Sequence, residues 1–407
     1  MPSPEEEGAG SVIPHITNVE ARNYKSLSNV PVSLGPLTVL VGPNGAGKSN
    51  FIDVLAFVRD CLNDSIELAL KNRGGASAVR RASQRRARRP SISITLHMEL
   101  GQGATAHYSF ELAWRAAGAF SIAREQCAIC ESPAIGPTHG FDRTGESFTQ
   151  AIPGVKPQLK PDRLALFAAS GTDEFRPVWN FLTAMRFYSI EPRQLRDLQD
   201  PDSGESLKRD GSNAAAVLNR LRRELPPTQY ERLCRLLAIV AAGIEDVAYR
   251  QMRSKETLEF QQRVGPAAED YWTLDALNMS DGTLRVLGIL LALFQPTPPT
   301  VIAFEEPEST VHPAVTELLV ELFLDASRQR QVLLTTHSPD LLDSKDLSDE
   351  QIRSVVMRDG QTYVTRVSGA TRQAIRERLY TAGELLRLGE IEPDPGALHD
   401  GQANGAT

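Results

Sequence analysis

The chain has 407 residues, 44 basic against 51 acidic side chains and 41% hydrophobic residues, the composition of a globular protein long enough for two to three structural units. Its net charge of −7 gives no global reason to expect nucleic acid, so local charge must decide that question. The longest apolar run, Val286 to Phe294, is far short of the ~20 residues of a membrane span, and the acidic leader MPSPEEEGAG is neither a signal nor a transit peptide. The expectation is a soluble, cytoplasmic protein with no membrane partner, in which Cys61, Cys127, Cys130 and Cys234 have no reason to pair as disulfides.

After a flexible leader over 1–11, short β-like runs (ITNVEARNY, VPVSL, LTVLV) lead to a glycine-rich turn and then to an amphipathic helix carrying Phe51, Val54, Leu55 and Val58. The turn, Gly42, Pro43, Asn44, Gly45, Ala46, Gly47, Lys48, Ser49 and Asn50, fits G-x-x-x-x-G-K-[ST] in the strand–turn–helix context the motif demands. Glycines let backbone N–H groups converge on phosphate oxygens, and the helix start adds its positive dipole end. Lys48 reaches the outer phosphates, and Ser49 offers a hydroxyl to Mg²⁺.

A second helix is expected through Ile66 to Leu70. The segment 74–90 then carries Arg80, Arg81, Arg85, Arg86, Arg88 and Arg89 without apolar periodicity. It reads either as a solvated loop or as a contact to a DNA or RNA backbone, and with no interleaved aromatics it does not suggest base stacking. From Ser91 to about Phe148 alternating runs predict an antiparallel sheet lobe. Cys127 and Cys130 form a C-x-x-C there, but they lack a second pair, so strand residues are the preferred reading over zinc or redox chemistry.

Helical patterns return at 162–169 and 175–185, followed by the strand-like RFYSI. Two short helices come next, one capped near Ser212 and one over 229–242, and then a hairpin (DVAYRQM, TLEFQQRV). Long coiled-coil arms are excluded, because no heptad pattern is sustained.

In NMSDGTLRVLGILL, Ser280, Asp281 and Gly282 open a buried helix and form an anion site of the kind helix starts provide. TVIAFEEPEST ends an apolar strand in Glu305, a candidate Mg²⁺ ligand, and Glu306, which can orient or deprotonate an attacking water. QVLLTTHSP places His337 at the end of another strand, where its imidazole can reach a γ-phosphate or hold that water.

Taken in order, GPNGAGKS, MSDGT, VIAFEEPE and TTHSP resemble the ATP-binding-cassette type of ATPase head. The likeness is to the AAA-annotated RecF-like and SMC-like branch that also supplies the ATPase half of OLD-family nucleases; NVEARNYKSLSNV, FYSIEPRQLR and GELLRLGEIE also look like that branch. It implies an α/β P-loop NTPase with an ABC-type head: a mixed sheet core, an antiparallel β lobe and a helical subdomain. The head would comprise 12–160 and 264–392, with a helical subdomain and hairpin at 161–263 and a disordered tail at 393–407. It implies hydrolysis of ATP with Mg²⁺ and catalytic roles for Lys48, Glu306 and His337. Two heads would dimerise head to tail, Ser280 and Gly282 of one completing the phosphate site of the other, with higher oligomers also open.

A glutamine that senses magnesium is also implied, with Gln194 as its candidate. Asp281 stands where transporter cassettes usually have glycine and Glu305 where aspartate is commoner, which argues against a transporter subunit. The OLD-type nuclease domain is not expected in this chain. Two functions remain open: an ATPase acting on DNA in genome maintenance or phage defence, and a regulatory scaffold that does not bind DNA and controls a separate nuclease or toxin.

Overall fold

The computed structural model describes residues 13–29, 31–80, 90–114, 119–131, 138–150, 159–160, 162–265 and 270–396. At its centre is a six-stranded sheet in the order Gln361–Arg366, Ile352–Arg358, Leu37–Val41, Gln331–Thr336, Val301–Glu305, Arg186–Tyr188. All neighbours are parallel except the first pair. Every residue of Leu37–Val41 and of Gln331–Thr336 is buried. Covered on both faces, these strands read as continuous apolar runs without alternation.

A second, seven-stranded antiparallel sheet runs Val32–Ser33, His15–Arg22, Ile92–Gly101, Ala104–Trp114, Phe120–Cys130, His139–Thr144, Ser147–Gln150. The expected β lobe is therefore joined by the first strand of the chain. Helix Lys48–Asn63 packs between the two sheets and is buried on nearly all sides. Phe57 meets Phe110 of the antiparallel sheet, and Leu40 and Leu333 of the central sheet belong to the same core. Burying such a side chain contributes ~1.5–3 kcal/mol, so the phosphate-loop helix is anchored by its packing.

The opposite face of the central sheet is covered by Asp281–Leu293, Pro313–Ser327 and Ala214–Glu224, which share a second core. The segment expected as a helical subdomain does not stay apart: Arg186–Tyr188 pairs with Val301–Glu305 and forms an edge of the central sheet. The hairpin Ile244–Met252/Lys255–Arg263 gains a third strand, Tyr271–Asp275, which the sequence did not suggest.

Two boundaries shift. The helix expected to be capped near Ser212 starts at Ala214, with Asn213 at the cap position. Asn213 turns its amide away from that helix, accepting from Lys208 N and donating to Asp202 and to Ser206 O. The first residues of the tail expected to be disordered from 393 are ordered: Pro393 bridges to Val367 and Asp394 N donates to Arg366 O at 2.9 Å. The leader, residues 397–407 and five of the six arginines of the basic segment lie outside the described residues. Arg80 is described, with its guanidinium over the Trp114 ring at 5.8 Å. Cys127 is buried and Cys130 half-buried in one strand, and burial pushes the Cys127 thiol upward. No helix among the described residues is long and apolar enough to cross a membrane.

Candidate nucleotide site

The turn from Gly42 to Ser49 leaves the end of Leu37–Val41, and two of its glycines are sterically required. A Cβ on Gly42 would lie 2.1 Å from Val355 O, inside any allowed contact. Gly47 has φ 103° and its Cβ would meet Thr362 Oγ1 at 2.1 Å. Thr362 donates to Ala46 O (2.8 Å), so the last two strands of the sheet hold the turn in place. Gly45 has φ 79° with no atom within 4 Å of its Cβ position, and Pro43, Asn44, Gly45 and Ser49 are exposed. The backbone rim of the turn is thus open while its base is packed. Asn50 faces elsewhere, donating to Ser26 Oγ at 2.8 Å.

Lys48 is buried and its Nζ donates to Gly42 O (2.7 Å) and Pro43 O (3.2 Å). Burial lowers its pKa, against the opposing pull of Glu306 and Glu308. Those carboxylates follow the Val301–Glu305 strand, which is separated from Leu37–Val41 by Gln331–Thr336.

Glu306 sits at φ 45°, a left-handed conformation that costs a non-glycine residue free energy and persists where surroundings impose it. Its N–H donates to Thr335 O (3.0 Å) and Thr335 Oγ1 (3.2 Å). Its Oε1 lies 3.1 Å from His337 Nδ1. Glu308 is buried; its Oε1 accepts from Thr336 Oγ1 (2.5 Å), while its Oε2 has no hydrogen-bond partner among the described residues. Burial raises the Glu308 pKa, outweighing Thr336 and His337. Arg285, its own pKa lowered by burial, feels Glu191, Glu308, Asp281 and Glu306.

The neighbouring threonines Thr335 and Thr336 therefore latch the two acidic positions of the next strand. Sequence reading missed Glu308, Thr335 and Thr336, although all three lie within the quoted runs EEPE and TTHSP. The motifs drew attention to the first two glutamates and the histidine alone.

The Ser280 start has the expected helix geometry. Ser280 caps Asp281–Leu293, accepting from Thr283 N at 3.1 Å. A Cβ on Gly282 would be 2.8 Å from Thr310 O, so this start packs against the loop that follows Glu306. Arg196 donates to Met279 O (3.0 Å) and pairs with Asp281. Among the described residues no hydrogen bond or ion pair joins Ser280, Asp281 or Gly282 to the Gly42–Ser49 turn. Gln194 is exposed on helix Pro192–Arg196, where its carbonyl accepts from Gln199 Nε2.

With the phosphate turn, the two strand-end carboxylates and the histidine on adjacent parallel strands, the comparison with known proteins decides the family. Residues 37–343 match the family described as "AAA domain, putative AbiEii toxin, Type IV TA system". The chain belongs to this AAA domain family. Its P-loop NTPase fold is similar to the SMC head bound to the C-winged helix domain of ScpA, with TM-score 0.55 and 14% identity over 88% of this chain and 99% of that one. It is also similar to the SMC head with an extended coiled coil bound to the C-terminal domain of ScpA from Pyrococcus furiosus, with TM-score 0.52 and 14% identity over 90% and 100%. No curated protein gives a significant match.

In this AAA domain the donors expected for Mg²⁺ fit that ion in kind. The Ser49 hydroxyl and the Glu305 carboxylate are hard oxygen ligands, and Ser49 makes no hydrogen bond to protein among the described residues. Glu305 is engaged, since its Oε1 lies 2.5 Å from Arg209 Nη2. A cation at Glu305 would therefore compete with that guanidinium.

Proposed function

We propose that this AAA-family chain is an ATPase that binds Mg²⁺·ATP on the Gly42–Ser49 turn and hydrolyses it to ADP and phosphate. The observation that carries the reading is the convergence of Lys48, Glu306 and His337 at the same ends of adjacent parallel strands. Lys48 lies within electrostatic reach of Glu306, and Glu306 touches His337. Water attacks the γ-phosphorus, its proton passes to the Glu306 carboxylate, and the bond to the β-phosphate oxygen breaks. The Nδ1 contact fixes the orientation of Glu306 and leaves the other ring nitrogen of His337 free to face the γ-phosphate. Lys48 leaves the Gly42 and Pro43 carbonyls for the phosphate oxygens. Ser49 and Glu305 would hold Mg²⁺, which would supply neutralisation of the charge on the phosphates.

Ser280, Asp281 and Gly282 belong in this reading to a composite site. Among the described residues they make no polar contact with their own phosphate turn, and a helix start whose serine is engaged only with Thr283 of its own first turn suits the γ-phosphate of a second copy. ATP would then close two heads tail to head, and hydrolysis would release them. This timed clamp would act on DNA or control a separate effector, in genome maintenance or phage defence. The effector form has the support that both SMC heads of similar fold were solved with a ScpA domain bound. The DNA form rests on the arginines at 80–89.

The decisive variant is Glu306→Gln. It should keep ATP affinity, slow turnover by about two orders of magnitude, and shift the chain to a dimer in light scattering when ATP is present. Wild-type turnover in this variant would remove Glu306 from the mechanism. A monomer at saturating ATP would remove the composite site. Salt-dependent DNA binding that survives neutralisation of the six arginines would remove their role.

A further inference from the structure

A cleft of about 320 Å³ lies beside the nucleotide site, between the C-terminal half of the loop helix, the edge strand Arg186–Tyr188 and the loop 206–209. Three arginines from these three elements line it: Arg59, Arg186 and Arg209. Their charges are unequally compensated. Arg59 stacks over Phe187 at 5.1 Å and pairs with Asp60 at 2.6 Å, but Asp60 is shared with Arg73 at 2.9 Å. Arg186 has no carboxylate within 4 Å among the described residues; it donates only to the carbonyls of Thr183 (3.1 Å) and Met185 (2.9 Å). Arg209 is half exposed and held by Glu305. Asp64 is the remaining acid on the lining.

Arg209 connects this cleft to the nucleotide. On the functional reading above, Glu305 takes Mg²⁺ together with ATP, and a divalent cation there repels the guanidinium it replaces. We infer that the cleft is a phosphate-binding site completed by Mg²⁺·ATP, in which Arg209, freed from Glu305, joins Arg59 and Arg186 around one tetrahedral oxyanion. The proposal rests on Glu305 being the metal ligand. Three guanidinium groups lining one cleft from separate elements, with Arg59 and Arg186 close enough to repel each other, suit a phosphate group, which offers more acceptor oxygens than the two of a carboxylate. Arg186 keeps its charge while the burial around it lowers its pKa, which leaves an incompletely solvated cation ready for an anion.

The phosphate could be free or part of a nucleic-acid backbone, and two probes separate the sources: orthophosphate followed by phosphorus NMR, and a short fluorescein-labelled single-stranded oligonucleotide followed by anisotropy. Both are measured on the full chain carrying Glu306→Gln with saturating ATP, once with Mg²⁺ and once with EDTA, so that the phosphate turn is filled throughout. At least one probe should bind about fivefold more tightly with Mg²⁺, equivalent to about 1 kcal/mol. Arg186→Gln and Arg59→Gln should each weaken that binding about tenfold, and Arg209→Gln should erase the difference between Mg²⁺ and EDTA. Binding of orthophosphate alone identifies free phosphate as the ligand, and binding of the oligonucleotide identifies a backbone. Failure of both probes, or affinities indifferent to Arg186→Gln and Arg59→Gln, overturns the site. A fluorescent ATP analogue run in parallel separates the two levels. If ATP binds in both arms and the probes do not, this inference alone falls; if ATP does not bind, the nucleotide reading falls and takes the inference with it.

Discussion

Two buried glutamates, one in the antiparallel sheet and one in the turn after a strand of the central sheet, show how differently the same side chain can be used. In the antiparallel sheet Glu125 stands directly opposite Arg143 and is fully buried. It accepts from Ala165 N (2.5 Å), Leu166 N (2.9 Å) and Tyr108 Oη (3.1 Å), with Arg143 at 3.7 Å. Arg143 in turn donates to Gly145 O, Arg163 O and Lys160 O. Every oxygen of that carboxylate is spoken for, and the cluster ties the sheet to helix Ala165–Ala169. At the candidate nucleotide site Glu308 is also buried, yet among the described residues its Oε2 has no hydrogen-bond partner and no arginine lies within ion-pair distance, Arg285 sensing it only electrostatically. Its neighbour Glu306 holds a strained backbone to aim a half-buried carboxylate at His337. The first arrangement is a joint, complete in itself. The second has the incomplete hydrogen bonding and stored strain that functional sites retain.

Breaking the joint should have the largest effect on stability. Arg143→Met removes the guanidinium, fills much of its volume and leaves a buried carboxylate uncompensated, a change that costs ~3–5 kcal/mol. Chemical denaturation should show that loss, while ATP affinity per folded molecule stays at the wild-type value. Adding Glu125→Gln should recover much of the loss, because the remaining group is then neutral. A loss below about 1 kcal/mol in the single variant would mean that the pair is not the joint described here.

The two regions also differ in how far they could be read from the sequence. The candidate nucleotide site was legible as a pattern because that pattern is local: a turn needing glycine at Gly42 and Gly47, and strand ends carrying Glu305, Glu306 and His337, each in one short run. The parallel strands were legible as unbroken apolar stretches. Glu125 was not, because a register shift drops Ala123 from the pairing, so that Ile122 and Glu125 both turn inward. A single extra residue reverses the two-residue alternation on which inward and outward faces are assigned. The links from Arg209 to Glu305 and from Arg196 to Asp281 were hidden for another reason. They join residues 96 and 85 positions apart, and nothing in the local pattern of either arginine marks its partner. Glu308 was on the page but carried no signal beyond being a third glutamate; its burial follows from Pro307 and the turn, which periodicity does not describe.

The smallest predicted effect is the most diagnostic of the contrast, because it concerns the group that is buried but not satisfied. In Glu308→Gln the amide oxygen can accept from Thr336, and the amide nitrogen replaces an oxygen that has no donor. The sign with pH follows from the raised pKa of Glu308. Between the ordinary glutamate value and the folded value the native state binds more protons than the unfolded chain, so wild-type stability falls as pH rises through that window. Glutamine has no such fall. The variant should therefore match the wild type below pH about 4, near the unperturbed carboxyl range, and exceed it by roughly 1 kcal/mol at neutral pH, as read from urea unfolding across the range. Burial raises the Glu125 pKa as well, so its pH dependence has the same sign, but Glu125→Gln should gain less at neutral pH because its carboxylate has donors and a guanidinium that a neutral amide serves less well. If Glu308→Gln is less stable than the wild type at neutral pH, then Glu308 is satisfied as Glu125 is, and the distinction between joint and site at these two carboxylates disappears.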